Sequence, residues 1–210
     1  MADMNASSSL GQSTQSAVGG AVHAASELPA PPQLVSVIAR RHGTAAVVAA
    51  VLEHFGVALP LQPRAVFDAS LAQPTFLWCG PGHWLAMSDV PAGTFSLELQ
   101  LQEKLEGVAS ICDQSGSRVL FAVQGPAART VLAKGLGVDL HPRRFAPGHV
   151  AVSSIGHMGV QLWQVDATPQ YRLLVARSYA ESFRHWLETA SGQPLNTAGS
   201  KDPAKVNDED

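Results

Sequence analysis

The chain predicts an α+β domain of antiparallel sheets with helices on their faces, laid out as a duplicated strand–helix–strands–helix module. Three observations carry this prediction. Residues 36–60 read SVIARRHGTAAVVAAVLEHFGVALP and residues 118–142 read RVLFAVQGPAARTVLAKGLGVDLHP. Each has a β-like run, a Gly at its end, an Ala/Val/Leu-rich helix, then Gly-Val-x-Leu and a Pro. Residues 76–88, FLWCGPGHWLAMS, match residues 160–178, VQLWQVDATPQYRLLVARS, in a Leu-Trp pair, a turn, an aromatic-led apolar strand and a Ser. An apolar-rich helical segment follows each of them. The repeats span about 35–107 and 118–190, and elements that segregate into sheets and covering helices give one shared core.

Taken in order, residues 35–41 predict a strand. Residues 43–55 predict a helix that is apolar nearly all round (Ala45, Ala46, Val47, Val48, Ala49, Ala50, Val51, Leu52), hence expected to be deeply buried. Gly56 ends it as a left-handed cap. Residues 64–67 suit a short strand. Residues 75–79 and 83–87 form a hairpin across Gly80-Pro81-Gly82, a strong turn signal. Residues 94–107 carry two signals. FSLELQLQ alternates as a strand would, but Leu97, Leu101 and Leu105 share one helical face and Leu, Glu, Gln and Lys are good helix formers. A helix is expected.

In the second repeat, a strand at 118–123 leads to a helix starting at Pro126, with Gly125 as its N-cap. Strands follow at 149–155, 160–165 and 171–176. Ser178-x-x-Glu181 then reads as a capping box. The helix behind it places Tyr179, Phe183, Trp186 and Leu187 along one stripe. Residues 1–32 are rich in Ser, Ala, Gly and Gln and end in PAPP, so a disordered arm is expected there. Residues 194–210 read as a disordered acidic tail, and 33–193 as a single domain.

Composition narrows the function classes. The chain has 210 residues and a net charge of −3 without a long basic run, which argues against a nucleic-acid footprint. No apolar run approaches the ~18 residues of a membrane span. The N-terminal stretch lacks the basic start and apolar run of a signal peptide, so a cytoplasmic location is expected. The two cysteines, Cys79 and Cys112, are not in CxxC spacing and suggest neither a disulfide framework nor zinc.

Reactive constellations are scarce. Gly80-Pro81-Gly82-His83 matches neither phosphate-loop nor dinucleotide patterns, and reads as a hairpin turn. Gln124-Gly125-Pro126 lies where a strand meets a helix, but Pro126 removes one of the amide donors an anion would need. The eight histidines lack ligand spacing, and His42 and His54 read as helix-end or surface residues. Ser153, Ser154 and His157 are neighbours, yet the Gly156 turn would spoil a serine–histidine geometry and GxSxG is absent. Trp78, Trp84, Trp163 and Trp186 read as core. Arg143, Arg144 and Phe145 in the loop HPRRFAPG form a possible partner contact, because arginine and aromatics are enriched at interfaces; a solvated loop is the equal alternative.

The segments HPRRFAPGHVAVSSIGHMGVQLWQ and YRLLVARSYAESFRHWL, with VLFAVQGPAAR and LWCGPGHWL, resemble the gamma subunit of heterotetrameric sarcosine oxidase over about residues 35–190. The resemblance implies a relative of the folate-dependent aminomethyltransferase fold. It implies alpha, beta and delta partner subunits, alpha most directly. FAD, FMN, NAD, tetrahydrofolate and zinc are expected on those partners and none on this chain. The implied complex converts sarcosine, tetrahydrofolate and oxygen to glycine, 5,10-methylenetetrahydrofolate and hydrogen peroxide. The implied role of this chain is structural, with no catalytic, cofactor-binding or metal residue carried over. That agrees with a sequence lacking any fingerprint for the cofactor that hydride chemistry requires. The alternative is a stand-alone folate-binding or aminomethyltransferase-like protein, for which Asp113 and Asp166 are the carboxylates to consider among Asp68, Asp89, Asp113, Asp139 and Asp166.

Overall fold

The computed structural model of the chain describes residues 24–28, 33–66, 74–90, 93 and 95–197. The elements run β1 (Ala24–Leu28), β2 (Gln33–Ala39), α1 (Thr44–Phe55), β3 (Ala65–Val66), β4 (Thr75–Gly80), β5 (His83–Ser88), α2 (Leu97–Lys104), β6 (Ala109–Asp113), β7 (Arg118–Gln124), α3 (Ala128–Ala133), β8 (Val150–Ile155), β9 (Met158–Gln164), β10 (Gln170–Ala176), α4 (Ala180–Ser191) and β11 (Asn196–Thr197). From β2 to β6 the order is strand, helix, three strands, helix, strand; from β7 to β11 it is the same.

Each half builds its own sheet. The first has the order β3-β4-β5-β2-β6, the second β8-β9-β10-β7-β1-β11. The orders correspond strand for strand, except that β1 is wedged between β7 and β11. Adjacent pairs within the sheets are antiparallel save β1 with β11, which run parallel. An isolated Arg64–His149 bridge joins the β3 edge of one sheet to the β8 edge of the other.

Strand alternation then sorts the side chains into layers. Val35, Val37, Phe76, Trp84 and Ala86 meet Val47, Val51, Phe55, Leu97 and Leu101 of α1 and α2. Phe121, Val123, Leu162, Leu173 and Val175 meet Val131, Leu132, Phe183 and Leu187 of α3 and α4. The opposite faces supply Leu34, Leu77, Leu85, Leu120, Val150, Trp163 and Leu174, which form a third apolar layer between the sheets. The result is helices, sheet, sheet, helices, stacked around three apolar interfaces.

Local chemistry explains several boundaries. Gly56 closes α1 in the left-handed region (φ 66°), and its N–H donates to Leu52 O. Ser96 caps α2 by accepting from the Leu99 N–H at 3.2 Å. Buried Gln33 completes that helix start: its Oε1 accepts from Leu97 N at 2.6 Å while its Nε2 donates to Val90 O and Phe95 O. Leu97, Leu101 and Leu105 are fully buried, as their spacing predicts. The β8–β9 hairpin turns on Gly156 and His157, both at positive φ (52° and 71°), the pairing a tight two-residue hairpin requires.

Five expectations are corrected. Helix α1 is not buried all round: Val47, Val51 and Phe55 face the sheet, while Ala45, Ala46, Ala49 and Leu52 are exposed, because the sheet covers only one of its faces. Helix α3 begins at Ala128, with Gly125 at φ 105° and Pro126-Ala127 forming a turn, so Pro126 is not its first helical residue. The capping box is not made; a 3-10 turn, Arg177–Tyr179, precedes α4, and Glu181 pairs with Arg184 instead. Part of the expected N-terminal arm is β1, whose Ala25 is buried and whose Glu27 pairs with Arg184 of α4. The expected tail likewise contributes buried Leu195 and the short strand β11. The remainder of both expected tails lies outside the described residues. Strand β6 has no counterpart in the sequence reading.

Candidate functional site

The expected partner-contact loop divides on inspection. His141 O accepts from the Arg144 and Phe145 N–H groups, and Asp139 Oδ1 accepts from His141 N, so the loop is folded tightly on itself. Arg143 and Arg144 are exposed, Arg144 standing 3.9 Å from an equally open Asp139. Phe145 is 5% exposed, its ring 5.5 Å from His149 and 6.3 Å from Tyr171. It is a core residue, because the turn that presents the arginines drives the next side chain inward.

A structured polar site lies elsewhere among the described residues, between the two sheets. This cleft has a volume of about 400 Å³. Strand β2 contributes Ser36, β4 contributes Cys79, and β5 contributes His83 and Leu85; from the other sheet come Arg118 of β7, Val152 of β8 and Gln161 of β9. Ser36 Oγ and His83 Nε2 share a hydrogen bond of 2.9 Å. Gln161 Nε2 donates to Trp78 O at 3.1 Å and lies 3.3 Å from Cys79 Sγ. Cys79 sits at an irregularity in the β4–β5 register, between Trp78 and Gly80.

The electrostatics of the cleft run in one direction. Burial holds the His83 imidazole below the usual histidine range, and the positive charge of Arg118 pushes it further down. Burial raises the Cys79 thiol, against the opposing effects of the Gln161 hydrogen bond and Arg118. A serine–histidine pair works as nucleophile and base when a third group stabilises the imidazolium. Here the charge felt by the imidazole is a cation, which does the opposite.

The other singled-out residues do not join this cleft. Ser153 lines its edge, but His157 is exposed in the hairpin turn and Ser154 is exposed on the strand, so the three do not converge. Asp113 accepts from both the N–H (3.0 Å) and the hydroxyl (2.5 Å) of Ser115, which lowers its carboxyl pKa. Asp166 accepts from the Thr168 hydroxyl. Both carboxylates are exposed and tied into their own turns, and neither lines the cleft, so they do not form a folate-amine site together with it. Asp68 lies outside the described residues. Trp84 and Trp163 are fully buried, with Trp84 Nε1 donating to Pro60 O at 2.7 Å, while Trp78 and Trp186 are half-buried.

Sequence reasoning missed Ser36, Arg118 and Gln161. The available signal was a polar residue on the face of an otherwise apolar strand: Ser36 within LVSVI, Gln161 within GVQLW, and Arg118 at the mouth of VLFAV. Their convergence depends on sheet stacking, which no local pattern encodes.

Comparison with known proteins follows the same outline. A family model described as the sarcosine oxidase, gamma subunit family matches residues 40–193. The chain is 32% identical over 152 residues to the sarcosine oxidase subunit gamma of Corynebacterium sp. (strain U-96), covering 72% of this chain and 70% of that protein. It is 32% identical over 146 residues to the equivalent subunit of Corynebacterium sp. (strain P-1), with 69% and 70% covered. Among solved structures, a chain of the heterotetrameric sarcosine oxidase from Corynebacterium sp. U-96 superposes with a TM-score of 0.66 at 30% identity, over 80% of this chain and 83% of that one. The glycine cleavage system aminomethyltransferase T from Bartonella henselae superposes with a TM-score of 0.56 at 14% identity, over 83% of this chain and 47% of that one, a likeness of fold alone.

Proposed function

This chain belongs to the sarcosine oxidase gamma subunit family, and we propose that it serves as a non-catalytic structural subunit of a heterotetrameric, flavin-dependent sarcosine oxidase. In this reading its partners are alpha, beta and delta subunits, with alpha the most direct. Those subunits carry FAD, FMN, NAD, tetrahydrofolate and zinc. The assembled cytoplasmic enzyme turns sarcosine, tetrahydrofolate and oxygen into glycine, 5,10-methylenetetrahydrofolate and hydrogen peroxide.

The observation that carries the non-catalytic part is the Ser36–His83 pair lying under Arg118 in place of an orienting carboxylate. The structural part is supported by the outer face of α1, where Ala45, Ala46, Ala49 and a 52% exposed Leu52 turn outward. Small residues let a partner backbone approach closely, and permanent interfaces generally exceed about 2,000 Å² and are more apolar than ordinary surface. Arg143 and Arg144, exposed on their turn in the other half, are a separate candidate contact.

The purified chain alone tests the first claim. No sarcosine-dependent peroxide, no flavin absorbance and no saturable tetrahydrofolate binding are expected. Turnover, a retained flavin or tight folate binding would replace this reading with the stand-alone alternative. The double variant A49D/L52D tests the second. It is expected to melt within a few degrees of the parent, since exposed substitutions change stability by about 0.5 kcal/mol or less, yet to be lost from the co-expressed complex.

A further inference from the structure

We propose that the inter-sheet cleft binds a small organic carboxylate bearing no ammonium group, received by Arg118. The inference stands independently of the subunit role, because it rests on the cleft itself.

Arg118 opens β7 and lines the cleft, close enough to Cys79 and His83 for its charge to act on both. It is half-buried, and among the described residues its guanidinium makes no ion pair and donates no hydrogen bond. A partly desolvated cation without a counter-ion is costly. A guanidinium fork matches a carboxylate in a bidentate, charge-assisted geometry.

The remaining walls agree with an anion. Ser36, His83, Gln114 and Gln161 supply polar groups, and among the described residues no acidic side chain lines the cleft. The Ser36–His83 hydrogen bond and the anchoring of Gln161 to Trp78 O fix this wall before any ligand arrives. Gln161 must turn Nε2 toward the Trp78 carbonyl, which accepts only, and no described donor reaches its Oε1. That oxygen suits a ligand hydroxyl. A ligand ammonium would sit near Arg118 with no acidic partner. Leu85 and Val152 provide apolar contact for a short carbon chain, and a volume of about 400 Å³ lies in the range of small-molecule sites.

The test is calorimetric titration of the full chain with lactate, alanine and methyl lactate. Saturable lactate binding is expected, about tenfold or more tighter than for alanine, whose ammonium is uncompensated, and for the ester, which lacks the charge. Arg118→Met is expected to weaken lactate by about tenfold or more. Val152→Asp places a negative charge at the cleft mouth on a residue already 56% exposed, so folding is spared; it is expected to weaken lactate while Val152→Asn does not. Absence of saturable lactate binding overturns the proposal. So does alanine binding as tightly as lactate, or lactate binding that survives both Arg118→Met and Val152→Asp.

Discussion

The two halves share an element order but solve the problem of their outer surfaces differently. In the second half α4 is conventionally amphipathic: Phe183, Leu187 and Ala190 face the sheet, and Glu181, Ser182, His185 and Thr189 face outward. In the first half α1 turns Ala45, Ala46, Ala49 and Leu52 outward. The sheets differ too. Strand β6 pairs directly with β2, whereas the equivalent place beside β7 is taken by β1, with β11 displaced beyond it. The second half is thus completed from within the chain, by a strand that Glu27 ties to Arg184 of α4. The first half leaves an apolar helix face exposed. One plan of elements therefore yields a polar outer surface in one half and an apolar one in the other, depending on which residues occupy the outward helical positions.

Substitutions probe this difference between the halves. The largest effects are expected from Phe76→Ala in the first half and Phe121→Ala in the second. Both rings are fully buried, and each loss is expected to cost about 3–5 kcal/mol. Because Leu34, Leu77, Leu120, Trp163 and Leu174 join the sheets in one layer, both variants should lower a single shared melting transition. Two separable transitions by calorimetry would mean that the halves are independent units.

Next is Ala25→Asp, which puts a carboxylate into the apolar core of the second half and is expected to cost about 2 kcal/mol or more. For a chain of this size that is a fall of roughly 4–8 °C in melting temperature. The matching change beside β2, Ser110→Asp on exposed β6, is expected to shift it little. Equal effects would mean that β1 is a loose addition and not a structural strand.

Gln33→Ala removes three hydrogen bonds that start α2 and is expected to cost about 1–3 kcal/mol, read by chemical denaturation. The second half has no such buried amide at its helix starts among the described residues, so the loss should appear as fraying of α2 in hydrogen exchange.

The smallest expected effect is in pH dependence. His83 is held below its usual range in the folded chain, so the unfolded chain binds more protons. Stability is therefore level above the ordinary histidine pKa of about 6.5 and declines as pH falls through it toward the folded value. His83→Gln should flatten that decline, measured as melting temperature from mildly acidic to neutral pH.

Strands β2 to β5 and β7 to β10, with the β4–β5 hairpin, were legible because apolar patterning and Gly-Pro-Gly are local signals, and the helical reading around Leu97, Leu101 and Leu105 followed from a spacing that survives folding. Strand β1 was not legible, since AASEL sits in an Ala/Ser-rich context and becomes a strand only by pairing with β7. The exposed face of α1 is not legible, because an alanine-rich helix looks the same whether its second face meets protein or solvent. The burial of Phe145 is hidden for a similar reason: its neighbours Arg143 and Arg144 are surface residues, and only the turn geometry sends it inward. The cleft was beyond local reading, because Ser36, His83, Arg118 and Gln161 meet only through sheet stacking and register.

The proposed role gives this chain the task of supplying shape and buried contact to an oxidase complex, with the redox chemistry on other chains. Co-expression of the full set of subunits with and without it, followed by native mass measurement and a sarcosine oxidation assay, tests that most directly. This chain is expected to be retained in a flavin-containing complex, and omitting it to leave the assembly incomplete. A complete and fully active complex formed in its absence would contradict it.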